Sequence, residues 1–193
     1  MSNSLIDRTI GFQLGSVEET EIAFERPLGS GLYSYARREN PTVADCESIL
    51  AKTEAIAAGF DEAILLNQDG SVSEGSGENL FMIRDGVIST PGETDNCLLG
   101  ITRDSIIQLA KDQLGMDVVQ RHIHRSELYL SDEVFLTGTA AHVTAVGELD
   151  NRAIGTGETG PITKKLQDLY FSTVVGDNDN YTDWCTMVTP NGG

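Results

Sequence analysis

The sequence predicts an α/β fold of mixed strands with helices around them. Short apolar runs of strand length recur at 63–66, 79–84, 87–90, 118–123, 133–137 and 143–146. Three longer stretches, 48–58, 103–114 and 162–175, place apolar residues at helical spacing. Strands and helices interleave along the chain, with turn-forming residues between them. The length, 193 residues, suffices for one sizeable domain.

Upstream of residue 48 the pattern is hard to read. Residues 10–14 and 22–24 suit short strands, Pro27, Gly29, Ser30 and Gly31 mark a turn, and 37–41 reads as a loop. In the helix at 48–58, Ile49, Ala55 and Ile56 share a stripe and Gly59 supplies the stop. The unbroken apolar run 63–66 suits a buried strand, and Asn67 to Gly70 a turn. Asp85-Gly86 joins strands 79–84 and 87–90 as a hairpin, which Pro91 ends. Thr102 is expected as the N-cap of the helix ending at Gly115, with Ile107, Ala110 and Leu114 facing the core. A short helical turn is expected at 126–131, a corner at Gly138-Thr139 and a turn at Asp150-Asn151. Gly160-Pro161 opens the last helix, with proline in the first turn. Residues 177–193 read as a polar tail in which Trp184 can dock. The expected divisions are therefore 1–47, 48–176 and 177–193.

Composition removes several classes of function. Thirty acidic against thirteen basic residues give a net charge of −17, which repels nucleic acid and anionic membranes. The acidic excess with only four lysines suits a salt-adapted surface and equally suits simple solubility. No apolar run approaches the ~20 residues of a membrane span. The first residues lack the basic and apolar regions of a signal peptide. Cys46, Cys97 and Cys185, odd in number and far apart, suit reduced thiols in a cytoplasmic protein. His122 and His124 would share a face of a strand, but no third ligand is near, so two ordinary histidines are expected.

Chemistry concentrates in three segments. Ser73-Glu74-Gly75-Ser76-Gly77-Glu78-Asn79-Leu80-Phe81 packs carboxylates, hydroxyls, glycines and an amide just before an apolar strand. Leu98-Leu99-Gly100-Ile101-Thr102-Arg103-Asp104 opens a helix, and Thr137-Gly138-Thr139-Ala140-Ala141 turns a corner. Taken singly, each is a loop, a cap or a turn. Together, in this order and spacing, they resemble the branched-chain amino acid aminotransferases of the class IV (fold type IV) pyridoxal-phosphate group. The Gly-Glu-Asn-Leu-Phe wording sets them apart from D-amino acid aminotransferases and aminodeoxychorismate lyases. Similarity runs from about Ser48 to about Val175. The resemblance implies a pseudo-barrel of mixed strands with surrounding helices, and a homodimer.

It also implies the cofactor pyridoxal phosphate and substrates that are amino acids and 2-oxo acids. Such a cofactor needs donors for its phosphate, a carboxylate for its pyridine nitrogen and a lysine for its aldehyde. Gly100, Ile101 and Thr102 at a helix N-terminus, with the Thr139 hydroxyl, serve the first need. By resemblance Glu74 serves the second, with Glu78 and Asn79 supporting its turn. Leu99 would lie against the ring, and Gly138, Thr139 and Ala140 would face substrate. The third need is unmet: the family's lysine position holds Asn40, and the tyrosine expected shortly after it is Asp45. Lys52, Lys111, Lys164 and Lys165 read as solvated charges. His142 is near the corner but matches no family catalytic residue. Residues 1–47 are too short for the family's N-terminal domain, which supplies a phosphate-binding arginine. A truncated gene, a misplaced start or an intron read as exon is expected. Two functions stand open: an aminotransferase cofactor domain with little activity alone, and a non-catalytic binding or interaction module.

Overall fold

The computed structural model describes residues 9–14 and 43–185, with side chains described from 48 to 185. Its strands are β1 (Thr9–Leu14), β2 (Glu62–Leu66), β3 (Val72–Gly75), β4 (Asn79–Arg84), β5 (Val87–Thr90), β6 (Val118–Gln120), β7 (Glu133–Gly138), β8 (His142–Leu149) and β9 (Arg152–Ala153). Its helices are α1 (Val43–Ala57), α2 (Ile101–Leu114), α3 (Arg125–Leu128) and α4 (Pro161–Val174), with 3-10 turns at Glu93–Asp95 and Asp179–Trp184. The α/β class is borne out.

The strands run in the order β3-β2-β1-β8-β7-β4-β5-β6, with β9 paired to β8. Among the described residues every pairing along this path is antiparallel except β5 with β6. A parallel neighbour needs a crossover, and α2 provides it. The two ends of the path also meet. Val72 N–H donates to the Ile123 carbonyl just past β6 (2.9 Å), and Ser71 bridges His124. The sheet thus curls into a pseudo-barrel.

Two-residue alternation separates two cores. Leu80, Met82, Val134 and Leu136 pack with Ile64, Val72, Val146 and Leu149. On the other face Phe81, Ile83 and Phe135 pack against Ile106, Leu109 and Ala110 of α2 and Leu166 and Tyr170 of α4. Phe81 and Phe135 are register partners and stack with centroids 4.8 Å apart. Each such buried side chain stabilises by about 1.5–3 kcal/mol. Val146 and Leu149 lie three apart yet share one core. The pairing steps from Leu14–Val146 to Gln13–Glu148, leaving Gly147 as a bulge that re-phases the strand.

A distant carboxylate anchors α4. Buried Glu133 accepts from Ile162 N–H (3.1 Å) and Thr163 N–H (2.7 Å), two donors with no partner inside the helix. Gly160 must be glycine for this approach, since a Cβ there would sit 2.1 Å from the Glu133 carboxyl carbon.

Several expectations change. Helix α1 begins at Val43, before the expected 48. β3 was not expected as a strand. β6 stops at Gln120, so His122 and His124 follow the strand and do not share its face. The tail is not wholly free: Tyr181 is 5% exposed, donates to Asp112 Oδ2 (3.0 Å) and packs on Trp184. The strand expected at 22–24 and Asn40 lie outside the described residues. Gly160→Ala is expected to push Glu133 off the end of α4 and cost about 1–3 kcal/mol, read from urea unfolding.

Candidate functional site

Glu74 is the third residue of β3, half-buried, with its carboxylate directed to the loop before α2. Its Oε2 accepts from Leu98 N–H (2.9 Å) and from Asn79 Nδ2 (3.3 Å). Asn79, the first residue of β4, is 5% exposed and uses both ends of its amide. Nδ2 also donates to the Leu98 carbonyl (2.5 Å), and Oδ1 accepts from Gly100 N–H (3.2 Å). One side chain therefore ties the acidic strand to the start of α2. The support role expected of Asn79 matches these bonds.

Gly100, not Thr102, is the N-cap: it is extended (φ −71°, ψ 146°), and Asp104 N–H makes the first intrahelical bond to its carbonyl. The expected hydroxyl cap is absent because Thr102 already lies inside the first turn, buried. A Cβ at Gly100 would stand 2.4 Å from Asn79 Oδ1, which is why glycine is required. The amides of Ile101, Thr102 and Arg103 precede the first helical bond and have no acceptor inside the helix. Leu99 and Ile101 are exposed. The Arg103 guanidinium points inward instead, to the Pro91 carbonyl and Gln120 Oε1, both at 3.0 Å.

The third segment arrives through the sheet. Thr137 is the register partner of Asn79, and Gly138 that of His142. A Cβ on Gly138 would lie 3.2 Å from the Gly77 carbonyl and 3.3 Å from Glu78 Cγ, so the corner closes on the 75–78 turn. Thr139 and Ala140, at its tip, are exposed. Thr137 Oγ1 and His142 Nδ1 are buried without a hydrogen-bond partner. Glu74, Gly100 and Gly138 are thus gathered around Asn79.

Burial raises the Glu74 carboxyl above its ordinary range, against the lowering effect of Leu98 N–H. A carboxylate so placed holds a shared proton well. Burial likewise raises the neighbouring Cys97 thiol.

The structure corrects the reading of Lys52 and adds two buried carboxylates, Glu62 and Asp95, that sequence reasoning did not weigh. Lys52 is not a solvated charge: it pairs with Glu62, which is 4% exposed, and donates to the Asp61 carbonyl (2.7 Å). Glu62 also accepts from Ser76 Oγ and Ala63 N–H. A glutamate leading directly into the apolar run 63–66 was the available signal. His122 Nδ1 bonds the buried Asp95 carboxylate (2.8 Å), which pins the 3-10 turn before the Leu98 loop. No group of three metal-ligating side chains occurs among the described residues. The other three lysines are exposed, with Lys164 paired to Asp168.

The family model for amino-transferase class IV matches residues 36–149, more than half the chain, and begins upstream of Ser48. This chain belongs to the class IV aminotransferases. A probable branched-chain-amino-acid aminotransferase of Aquifex aeolicus is 57% identical over 141 residues, covering 73% of this chain and 45% of that protein. The Pseudomonas aeruginosa branched-chain-amino-acid aminotransferase is 51% identical over the same length. The crystal structure of a T.th. branched-chain amino acid aminotransferase complexed with N-(5'-phosphopyridoxyl)-L-glutamate matches with a TM-score of 0.73 at 50% identity. The match covers 75% of this chain and 49% of that one. This class IV chain therefore spans about half the length of the relatives it matches. Among its described residues no helix is long and apolar enough to cross a membrane.

Asn79→Ala is expected to strip Glu74, Gly100 N–H and the Leu98 carbonyl of one partner each, leaving only the Leu98 N–H bond to Glu74 (2.9 Å) and the Gly100 N–H bond to the Leu98 carbonyl (3.0 Å). Stability should fall by about 1–3 kcal/mol, with faster hydrogen exchange at the Leu98 and Gly100 amides.

Proposed function

We propose that this chain is the cofactor-holding part of a branched-chain amino acid aminotransferase, and that it binds pyridoxal phosphate without a covalent bond. The observation that carries this reading is the Asn79 bracket, which sets a half-buried carboxylate beside the open N-terminus of α2. The amides of Ile101 and Thr102 and the hydroxyls of Thr102 and Thr139 would hold the phosphate. Glu74 would hold the proton of the pyridine nitrogen, and Leu99 would lie against the ring. Gly138, Thr139 and Ala140 would face the amino acid or 2-oxo acid. The buried Thr137 Oγ1, on the residue paired with Asn79, adds polar capacity beside this bracket. When bound, the cofactor supplies an electron sink for amino transfer.

The lysine that such transfer requires is the misfit. Asn40 occupies the family position, and an amide cannot replace an amine. Lys52 is committed to Glu62 and Asp61, and the remaining lysines are exposed on α2 and α4. Transfer between leucine, isoleucine or valine and 2-oxoglutarate is therefore expected to be negligible for this chain alone. A second reading, a non-catalytic binding module that docks a full-length relative or a second copy, is favoured by one observation. Leu98, Leu99 and Ile101 at the rim of the seat are 74%, 49% and 87% exposed.

Equilibrium dialysis with pyridoxal phosphate should show binding, no imine absorption band, and no lysine adduct after borohydride reduction. Glu74→Gln should weaken that binding by about tenfold or more. A stable adduct on one lysine would restore the enzyme reading, and absence of binding would leave the docking module.

A further inference from the structure

The residue that closes the corner between β7 and β8 has a backbone that its side chain does not favour. Among the described residues, those other than glycine that take positive φ are Asp85, Asn96, His142, Asp150 and Asn151. Asp and Asn have short side chains that bond locally and suit left-handed backbone. His142 (φ 53°) carries a ring instead. It is the first residue of β8 and the register partner of Gly138, so Thr139, Ala140 and Ala141 form a tip between these two. A turn that ends in left-handed backbone is a place for glycine. Another residue held there needs support from its surroundings.

That support is α4. Gln167, Tyr170 and Phe171 lie at helical spacing, so one face of α4 meets the start of β8. The His142 ring lies 5.4 Å from that of Phe171 and 6.0 Å from that of Tyr170, tilted by 58° and 46°. Gln167 Nε2 donates to the Val143 carbonyl (2.9 Å). The helix is itself fixed: Leu166 and Tyr170 pack with Phe81 and Phe135, and Glu133 holds its first turn. Thr144 Oγ1 donates to the Ala141 carbonyl (2.6 Å) and ties the end of the tip to the strand. Thr139 and Ala140 are exposed, so their placement depends on the two ends of the corner. Gly138 closes one end on the 75–78 turn, and His142 closes the other on α4. His142 Nδ1 is buried without a hydrogen-bond partner, so at that atom packing and not a polar bond holds the ring.

We propose that His142 is a positioning residue: its ring, clamped on Tyr170 and Phe171, fixes the corner that presents Thr139 and Ala140. The consequence for cofactor and substrate rests on the function proposed above; the clamp itself does not.

Backbone NMR relaxation of the full chain tests the clamp without any ligand. In wild type the amides of 139–141 should approach the order parameter of rigid backbone, ~0.85, and values below about 0.6 would overturn the proposal. H142G gives the backbone the residue it favours and removes the ring. If backbone conformation alone mattered, H142G would be at least as ordered as wild type; the clamp requires a fall below about 0.6. H142F returns a ring without nitrogens and should restore the order of wild type. F171A should loosen the corner in part. The H142G/F171A double variant should be no looser than H142G, which has already removed the contact that F171A removes. An ordered H142G, a mobile H142F or an additive double variant would each overturn the clamp. Because wild type alone can refute it, a poorly folding variant does not shield the proposal. In parallel, H142G should bind pyridoxal phosphate about tenfold more weakly than wild type, since a loose corner must be ordered on binding. H142F should bind like wild type. No binding by wild type would reject the cofactor seat alone, whereas equal affinities of wild type and H142G would reject the positioning role.

Discussion

One primary amide holds the site together. Asn79 offers two donor hydrogens and one acceptor from a single rigid plane, and the structure uses both ends. The donor end meets the Glu74 carboxylate and the Leu98 carbonyl, and the acceptor end meets Gly100 N–H. A carboxylate at this place would repel Glu74, and an aliphatic side chain would take one hydrogen-bond partner from each of three polar groups. The register of β4 with β7 fixes where Asn79 stands, because Phe81 and Phe135 lock that pairing two residues away. Packing in the core thereby sets the geometry of a polar site at the barrel's end.

Electrostatics at this end run against the chain as a whole. A net charge of −17 disfavours an anion at long range, yet the relevant donors act within a few ångströms. At physiological ionic strength screening confines the global field to about 8 Å, so local dipoles prevail at contact. The one arginine of α2 does not take part, since Arg103 turns inward to hold the Pro91 carbonyl and Gln120. An anion at α2 would rest on backbone amides and hydroxyls, whose placement depends on the Gly100 cap.

Carboxylates elsewhere serve structural ends in the same manner. Glu133 caps α4, Asp95 accepts from His122 and from Gly92 N–H (2.8 Å), and Glu62 gathers Lys52 and Ser76. Each is buried and each is satisfied by donors from other elements, as buried charge must be. The acidic composition is therefore partly a surface property and partly the set of braces that hold loops to the barrel.

Local rules made much of this legible. Asp85-Gly86 was bound to form the hairpin, because both residues take positive φ (51° and 75°) as a two-residue turn demands. The apolar stripe of α2 and the left-handed Gly115 that ends it followed from spacing and chirality. The three motif segments marked the family from residue order alone. What lay beyond the sequence were the bonds between residues far apart in it. Gly100 displaces Thr102 as cap because Asn79, 21 residues earlier, claims the Gly100 amide. Lys52 became half of an ion pair because α1 packs beside β2. The sequence by itself determined most of the elements and the family, since these depend on neighbours and residue order along the chain. Only the tertiary structure decided which polar groups meet, because a hydrogen bond is set by distance in space, and barrel closure brings those partners together.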